Sequence, residues 1–506
     1  MMGSSIETLT SYVLPGTVTI LLVLLTWRRY FSPISHIPGP FTASLTRLWH
    51  MHHILKGDQN TELIRLHKKH ESFDQSCSKV AASGHFVRVS HDEVSISHPE
   101  GIKKVLLAPL EKAPWYKVLA LPDYRFQSAM STTDPKQKLE RSKRLAPGYA
   151  LSNVIKSEPA IDETIELFLD WLDAFASSKD PMDLDKFFTY LTFDIVGEVT
   201  FSRKFGFLKQ GIDVGNSISN SLALNAYIAV AGYFRWLHVA LLANPVVTWL
   251  SILPMGHLFN TTKKAVDERQ QSGDARWDIL ATWIQQMRQH PDQMDMKTIH
   301  TQATGLVGAG SDTVSSALQS FVYHMIRHPT AWSRVRDEID TAGKNGRCRE
   351  RAISFKDASE LPFLQACIKE AIRVFSPVPM GLPRLAPKGG LTIGNKTFPV
   401  GTILSVNPWV IHHSQELWGP DASQFNPDRW ITDDATQMEQ FWVPFGAGYN
   451  TCPGQHVAKI ELSKITATMI RDYDIRQARK DQEWKWKAYF TVVPHSWPCL
   501  ITKRES

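Results

Sequence analysis

A chain of 506 residues, 43% of them hydrophobic and with a formal charge of +6, can bury a large core. That charge is mild for the length, and no aromatic-interleaved basic stripe accompanies it, which excludes a nucleic-acid binder. Five scattered cysteines without a Cys-x-x-Cys pair exclude a disulfide framework or a zinc site and place the body in a reducing compartment.

From Thr8 to Trp27 the chain carries no charge, and Arg28 and Arg29 follow. About 20 apolar residues suffice to span a bilayer, and basic residues on the C-terminal flank orient that side to the cytosol. A cleaved signal peptide would carry its charge before the apolar run and a small-residue cleavage site after it, and neither is present. Residues 1–30 are therefore expected to be a membrane anchor, despite Pro15 and Gly16, with residues 31–44, which contain "PGP" at 38–40, as a stiff hinge. Sequons at Asn260 and Asn395 would then face the cytosol and stay bare. No repeat, low-complexity tract or flexible linker follows Pro40, so residues 45–506 are expected to form one domain.

Along that domain, "WYKVLALPDYRF" (115–126) is aromatic and aliphatic. The run 134–144 sets Lys136, Lys138, Arg141, Lys143 and Arg144 against Asp134 and Glu140, which suits either a solvated helix face or a docking patch for an acidic partner. Residues 221–259 are strongly apolar but broken by Arg235 and two prolines, so they read as core helices or as a greasy lid touching the membrane face. Thr298–His328 predicts a long helix stopped by Pro329. Glu370 and Arg373 share a helix face at i, i+3, which by itself is compatible with a surface ion pair. Strand signals are few: 391–406 alternates around Gly394 and Asn395 as a hairpin does, and "YFTVVP" lies near the C-terminus. The fold class expected is mainly α with a small β part.

The stretch "FGAGYNTCPGQ" (445–455) is the most informative. Gly446 and Gly448 permit a tight turn and a close backbone approach to a ligand. Pro453 suits a first helical position, which puts Cys452 at or beside an N-cap, where the helix dipole favours thiolate. Three readings follow from the residues: axial ligation of a haem iron, a nucleophile activated by His456, or a buried structural cysteine.

The stretch resembles the haem-binding loop of the cytochrome P-450 family, Phe-x-x-Gly-x-Arg-x-Cys-x-Gly. Phe445, Gly448, Cys452 and Gly454 fall in register, and Asn450 stands where that pattern has a propionate-pairing arginine. The resemblance continues in order along the chain. "AGSDT" (Ala309, Gly310, Ser311, Asp312, Thr313) is similar to the family's oxygen-activation motif; Gly310 would leave room for dioxygen, Thr313 would hydrogen-bond it, and Asp312 would relay protons. Glu370, Arg373 and Arg429 resemble the family's buried structural triad. Arg384 stands where a propionate-binding arginine is common, and the segment around Lys138 and Ser142 resembles one that usually carries Trp-x-x-x-Arg, leaving Arg141, Lys143 or Arg144 as substitutes. The wording of the cysteine loop is most like filamentous-fungal members related to pisatin demethylase.

The resemblance implies the cytochrome P-450 fold, haem b held by Cys452 as axial ligand to the iron, and electrons from NADPH through a flavoprotein reductase on the basic side. It implies a monooxygenase of a bulky apolar substrate, such as a terpenoid or polyketide of fungal secondary metabolism. Candidate pocket residues lie in 115–126, in 221–259 and at Met380–Leu382. A monomer on the endoplasmic reticulum membrane, its domain facing the cytosol, is expected. The rivals are a Cys452/His456 thiol enzyme and a non-catalytic membrane haem-binding protein. Residues 71–83 interrupt the family pattern, as a surface insertion or as retained intron sequence.

Overall fold

The computed structural model describes residues 2–75, 84–250, 254–272 and 276–505, with the side chains of 2–12, 71–75 and 254–258 left aside. Residues 76–83, which hold Cys77 and most of the interrupting segment, lie outside the described residues.

The first helix, α1 (Met2–Thr26), carries Pro15 inside it and runs into a π turn at Trp27–Phe31. Among the described residues, no helix is long and apolar enough to cross a membrane.

Residues 31–44 are not the hinge expected. Arg88 donates its backbone N–H to Pro38 O (2.7 Å), and its Nη2 donates to Arg28 O, Ser32 Oγ, Ser44 O and His91 O. A Cβ on Gly39 would meet Arg88 O at 2.2 Å, and Ile34 and Ile37 are buried. One arginine collects the carbonyls of a segment with little regular structure, which satisfies its backbone and seats it on the sheet.

The sheet begins with β1 (Phe86–Arg88) antiparallel to β2 (Glu93–Ile96). The helix α2 (Pro135–Tyr149) starts with Pro135 after Asp134, whose carboxylate accepts Gln137 N–H. Helix α3 (Leu184–Phe201) is buried without a break from Tyr190 to Phe201, and the Asp194 carboxylate within that stretch accepts the backbone N–H groups of Gly206 and Leu208. Two left-handed residues, Gly215 and Asn216, precede α4 (Ser217–Ala231). Short helices Arg235–Leu241 and Pro245–Leu250 follow, and residues 251–253 of the apolar 221–259 region lie outside the described residues.

The long helix, α5 (Met296–Arg327), agrees with expectation to within two residues: Asp295 caps it through Thr298 N–H, and Pro329 opens the next helix. It packs along α3, where Thr192 Oγ1 donates to Ser311 O at 3.0 Å. Helix α6 (Pro362–Val374) carries Glu370 and Arg373. Then come β3 (Arg384–Leu385), the expected hairpin β4 (Leu391–Ile393) and β5 (Lys396–Phe398), and β6 (Ile403–Ser405). Strand β6 pairs parallel with β2 and antiparallel with β3, completing the sheet β1-β2-β6-β3. Helix α7 (Gln455–Asp472) follows the cysteine loop, and strands Lys485–Ala488 and Val492–His495 form a C-terminal hairpin. The body is mainly helical with a small sheet part.

Candidate active site

The cysteine loop is closed by its own backbone: Cys452 N–H donates to Phe445 O (2.8 Å), and Gly446 and Gly448 adopt positive φ. A Cβ on Gly448 would meet Leu106 O at 2.6 Å, so only glycine lets this turn lie against the Ile102–Leu107 segment. Helix α7 begins at Gln455 with Gly454 as its N-cap, so Pro453 sits in the preceding turn and Cys452 lies two residues ahead of the cap, one or two earlier than expected. The backbone N–H groups of Gly454 and Gln455 reach the Cys452 sulfur and favour its thiolate, while burial acts the other way and is the larger effect, so the free thiol is pushed up. The expectation of a lowered value thus needs a metal to be met, because coordination takes the thiolate outright. His456 makes no hydrogen bond to that sulfur among the described residues, and burial pushes its imidazolium down.

The loop is held from behind. Arg373 donates Nε and Nη2 to the two oxygens of Glu370 at 2.8 and 2.7 Å, and Arg429 Nε donates to Glu370 Oε1 at 3.0 Å. Asn426 N–H and Trp430 Nε1 also donate to this carboxylate, so the fully buried charge is satisfied on every side. Arg373 also collects the carbonyls of His412, Ala422 and Gln424. The His412 Nε2 atom accepts Val443 N–H (3.1 Å), two residues before Phe445, and its Nδ1 faces Ser376 Oγ (2.9 Å). Burial and Arg373 hold His412 neutral, which suits one accepting and one donating nitrogen. Sequence reasoning missed His412, since nothing in its neighbourhood marks it as the link between triad and loop.

A second cluster gathers cations without a carboxylate. Arg384 is 1% exposed; its Nη1 donates to Tyr116 OH and Pro383 O, and its Nε has no partner among the described residues. Lys112, also buried, donates to Ala129 O and Met130 O, and burial with Arg384 and Lys138 nearby pushes its pKa down to about 6. Lys138 donates to Tyr449 O, and Asn450 Nδ2 is buried and meets no acceptor at hydrogen-bond geometry among the described residues. The expected substitutes turn elsewhere: Arg141 donates to Gln127 O, Arg144 to Gln293 Oε1, and Lys143 is exposed. Lys138 is the side chain of this run that reaches the cysteine loop, while Arg141, one turn on along the same face, reaches back to Gln127. Orphaned donors and uncompensated cations are the surroundings that a carboxylate-bearing group requires, and haem, with two propionates, fits them.

On α5 the motif divides by face. Gly305 and Ala309 are exposed and Thr313 is partly so, at i, i+4 and i+8, while a Cβ on Gly310 would meet Val196 Cγ2 of α3 at 2.9 Å. Gly310 therefore serves close packing of α5 on α3, and the small residue on the open face is Ala309, a correction to the expectation that Gly310 makes the room. Thr313 Oγ1 donates to Ala309 O (2.8 Å). Asp312 is 9% exposed; burial pushes its carboxyl up, opposed by hydrogen bonds to Oδ2 from Asn225 Nδ2 and Ser221 Oγ, both 2.9 Å.

An apolar cluster brings together three of the predicted pocket segments. Trp115, Tyr116 and Val118 pack with Ile228, Ala229, Ala231 and Met380, and with Tyr489 and Phe490 at the turn of the C-terminal hairpin, which sequence reasoning read only as part of a strand. Trp115 Nε1 donates to Ala229 O (3.2 Å), and Gly232 lies so close to that indole that a Cβ would meet it at 2.4 Å.

Comparison with known proteins agrees with this arrangement. The cytochrome P-450 family model matches residues 42–495. The cytochrome P-450 monooxygenase cicH of Emericella nidulans is 28% identical over 473 residues, covering 91% of this chain and 92% of that protein. Pisatin demethylase of Fusarium vanettenii is 28% identical over 488 residues, covering 94% and 91%. A crystal structure of a cytochrome P-450 superposes with a TM-score of 0.71 at 20% identity, covering 89% of this chain and 96% of its own, a likeness of fold.

Proposed function

We propose, for a chain that belongs to the cytochrome P-450 family and is an oxidoreductase of the monooxygenase type, that it inserts one atom of dioxygen into a C–H bond of a bulky apolar molecule. The observation that carries this reading is the Cys452 sulfur, presented to the N–H groups of Gly454 and Gln455 by a loop fastened to a buried Glu370 carboxylate.

Haem b, when bound, supplies the iron at which dioxygen is reduced by electrons delivered one at a time. Cys452 is its thiolate ligand, with Phe445, Gly448 and Gly454 shaping the loop. Lys112, Lys138, Arg384 and Asn450 hold its propionates. Glu370, Arg373 and Arg429 keep the loop from relaxing. Ala309 leaves the face of α5 open, Thr313 presents a hydroxyl there, and Asp312 moves protons from water. The cluster around Trp115, Ile228, Met380 and Phe490 excludes water and binds substrate through apolar area, which favours a terpenoid or polyketide over a charged metabolite. The fungal relatives, a pisatin demethylase among them, support a place in fungal secondary metabolism.

Electrons come from NADPH through a flavoprotein reductase, which docks against the exposed Lys136 and Lys143 on α2. The chain acts as a monomer on the endoplasmic reticulum membrane, its domain in the cytosol. Supporting the anchor, Ile20 and Val23 stand exposed on α1, and Thr17 and Thr19 fold their hydroxyls back onto Val13 O and Pro15 O. Trp236 and Trp249, 74% and 82% exposed, extend the apolar surface from the lid helices.

Absorption spectroscopy of the purified full-length protein tests the assignment. A reduced carbon monoxide complex with the red shift typical of thiolate is expected, lost in Cys452→Ser and kept in Cys348→Ser and Cys499→Ser; a shifted band surviving Cys452→Ser removes the assignment.

A further inference from the structure

The acid on α5 is gripped by a different helix. Oδ2 of Asp312 accepts from Ser221 Oγ and from Asn225 Nδ2, both at 2.9 Å and both from α4. Oδ1 accepts no hydrogen bond among the described residues. The two donors lie four apart and therefore on one face of α4. Asn225, 6% exposed in an otherwise mostly apolar helix, has this carboxylate as its partner. A buried amide in such a setting is costly unless it is bonded, so its use here is specific. Among the described residues no ionised side chain acts on Asp312; the hydroxyl and the amide of α4 are the polar groups that face it.

Helix α4 is also articulated. It follows the left-handed pair Gly215 (φ 63°) and Asn216 (φ 56°), and it ends at Gly232, packed on Trp115. The element that packs on the apolar cluster around Trp115 is thus the one that holds the acid.

We propose that Ser221 and Asn225 are positioning residues for Asp312, making proton delivery dependent on the seating of the lid helix. The proposal rests on the monooxygenase reading above and adds to it a coupling between substrate enclosure and proton supply. With α4 seated, Oδ2 is fixed and Oδ1 is the oxygen that takes a proton from water and passes it on, the carboxylate being regenerated at each cycle. With α4 displaced, the carboxyl loses both donors and its fixed rotamer. Linkage makes the grip reciprocal: what α4 does for Asp312, Asp312 does for α4.

Hydrogen exchange of the backbone amides of residues 217–231 in the full-length protein reads the grip without any turnover. Asp312→Asn should keep wild-type protection, because the amide oxygen accepts the same two bonds. Asp312→Ala should speed exchange across α4 by about tenfold, the factor expected for losing hydrogen bonds to a charged group. During turnover, Ser221→Ala and Asn225→Ala should lower the product formed per NADPH oxidised at least about threefold, and Ser221→Thr, which restores the hydroxyl, should recover it. Ser221→Ala removes one oxygen from a partly exposed position, so its fold is not in question. Unchanged exchange in Asp312→Ala overturns the grip, and an unchanged product ratio in both alanine variants overturns its role. Absence of a carbon monoxide complex would instead sink the haem reading, leaving the exchange result to stand alone.

Discussion

Arg373 clasps Glu370 with two parallel hydrogen bonds and reaches the carbonyl of His412, whose imidazole in turn accepts the N–H of Val443 at the entrance to the cysteine loop. Removing one partner of a buried, fully paired charge typically costs about 3–5 kcal/mol. Glu370→Gln should therefore lower the melting temperature and the haem content together, while His412→Ala should lower haem content more than stability, since it loosens only the loop. Calorimetry alongside the Soret absorbance separates the two, and equal losses in both variants would dissolve the proposed chain of contacts.

Lys112 sets a pH dependence. Burial first, then Arg384 and Lys138, lowers its pKa to about 6, so the side chain is mostly neutral at pH 7. A carboxylate brought beside it raises that value, so binding a propionate takes up a proton. Haem affinity should fall as pH rises from about 6 and level off below it. Lys112→Met should flatten this slope in a haem-transfer titration, and a wild-type slope in the variant would assign the proton elsewhere.

Gly310 is predicted to matter for packing. Adding a Cβ 2.9 Å from Val196 Cγ2 overpacks α5 against α3, at a cost of about 1–3 kcal/mol. Gly310→Ala should unfold at lower denaturant concentration, and Val196→Ala in the same protein should recover part of the loss. A Gly310→Ala variant of wild-type stability would return the glycine to a role on the open face.

Thr313 should control how electrons are used. Its hydroxyl donates to Ala309 O on the open face of α5. Thr313→Ala should keep haem content and NADPH consumption while product falls and hydrogen peroxide rises; Thr313→Ser should restore product. The ratio of product to NADPH oxidised decides, and an unchanged ratio in the alanine variant removes the hydroxyl from the chemistry.

Truncation should show where the body begins. Because Arg88 binds the Arg28 and Ser44 carbonyls and Ile34 and Ile37 are buried, deletion of residues 1–26 should reduce membrane association and leave haem bound. Deletion to residue 44 should destabilise the domain. Equal haem content in both would restore the picture of a hinge outside the body.

What the sequence determined by itself was local. The glycine turn before Cys452, the long helix stopped by Pro329, the hairpin around Gly394 and the pairing of Glu370 with Arg373 depend on residues close in the chain, where backbone geometry and side-chain spacing leave few alternatives. What the tertiary structure decided was direction and company. Helical rotation turned Gly310 to Val196 and Ala309 to the open face, and packing gave Lys138 to the cysteine loop while Arg141 and Arg144 found other partners. Lys112 beside Arg384, His412 beneath Val443, and Ser221 with Asn225 on Asp312 join segments from tens to hundreds of residues apart. Such contacts leave no periodicity to read, because the affinity of a buried donor for its partner is fixed by which elements the whole core packs together.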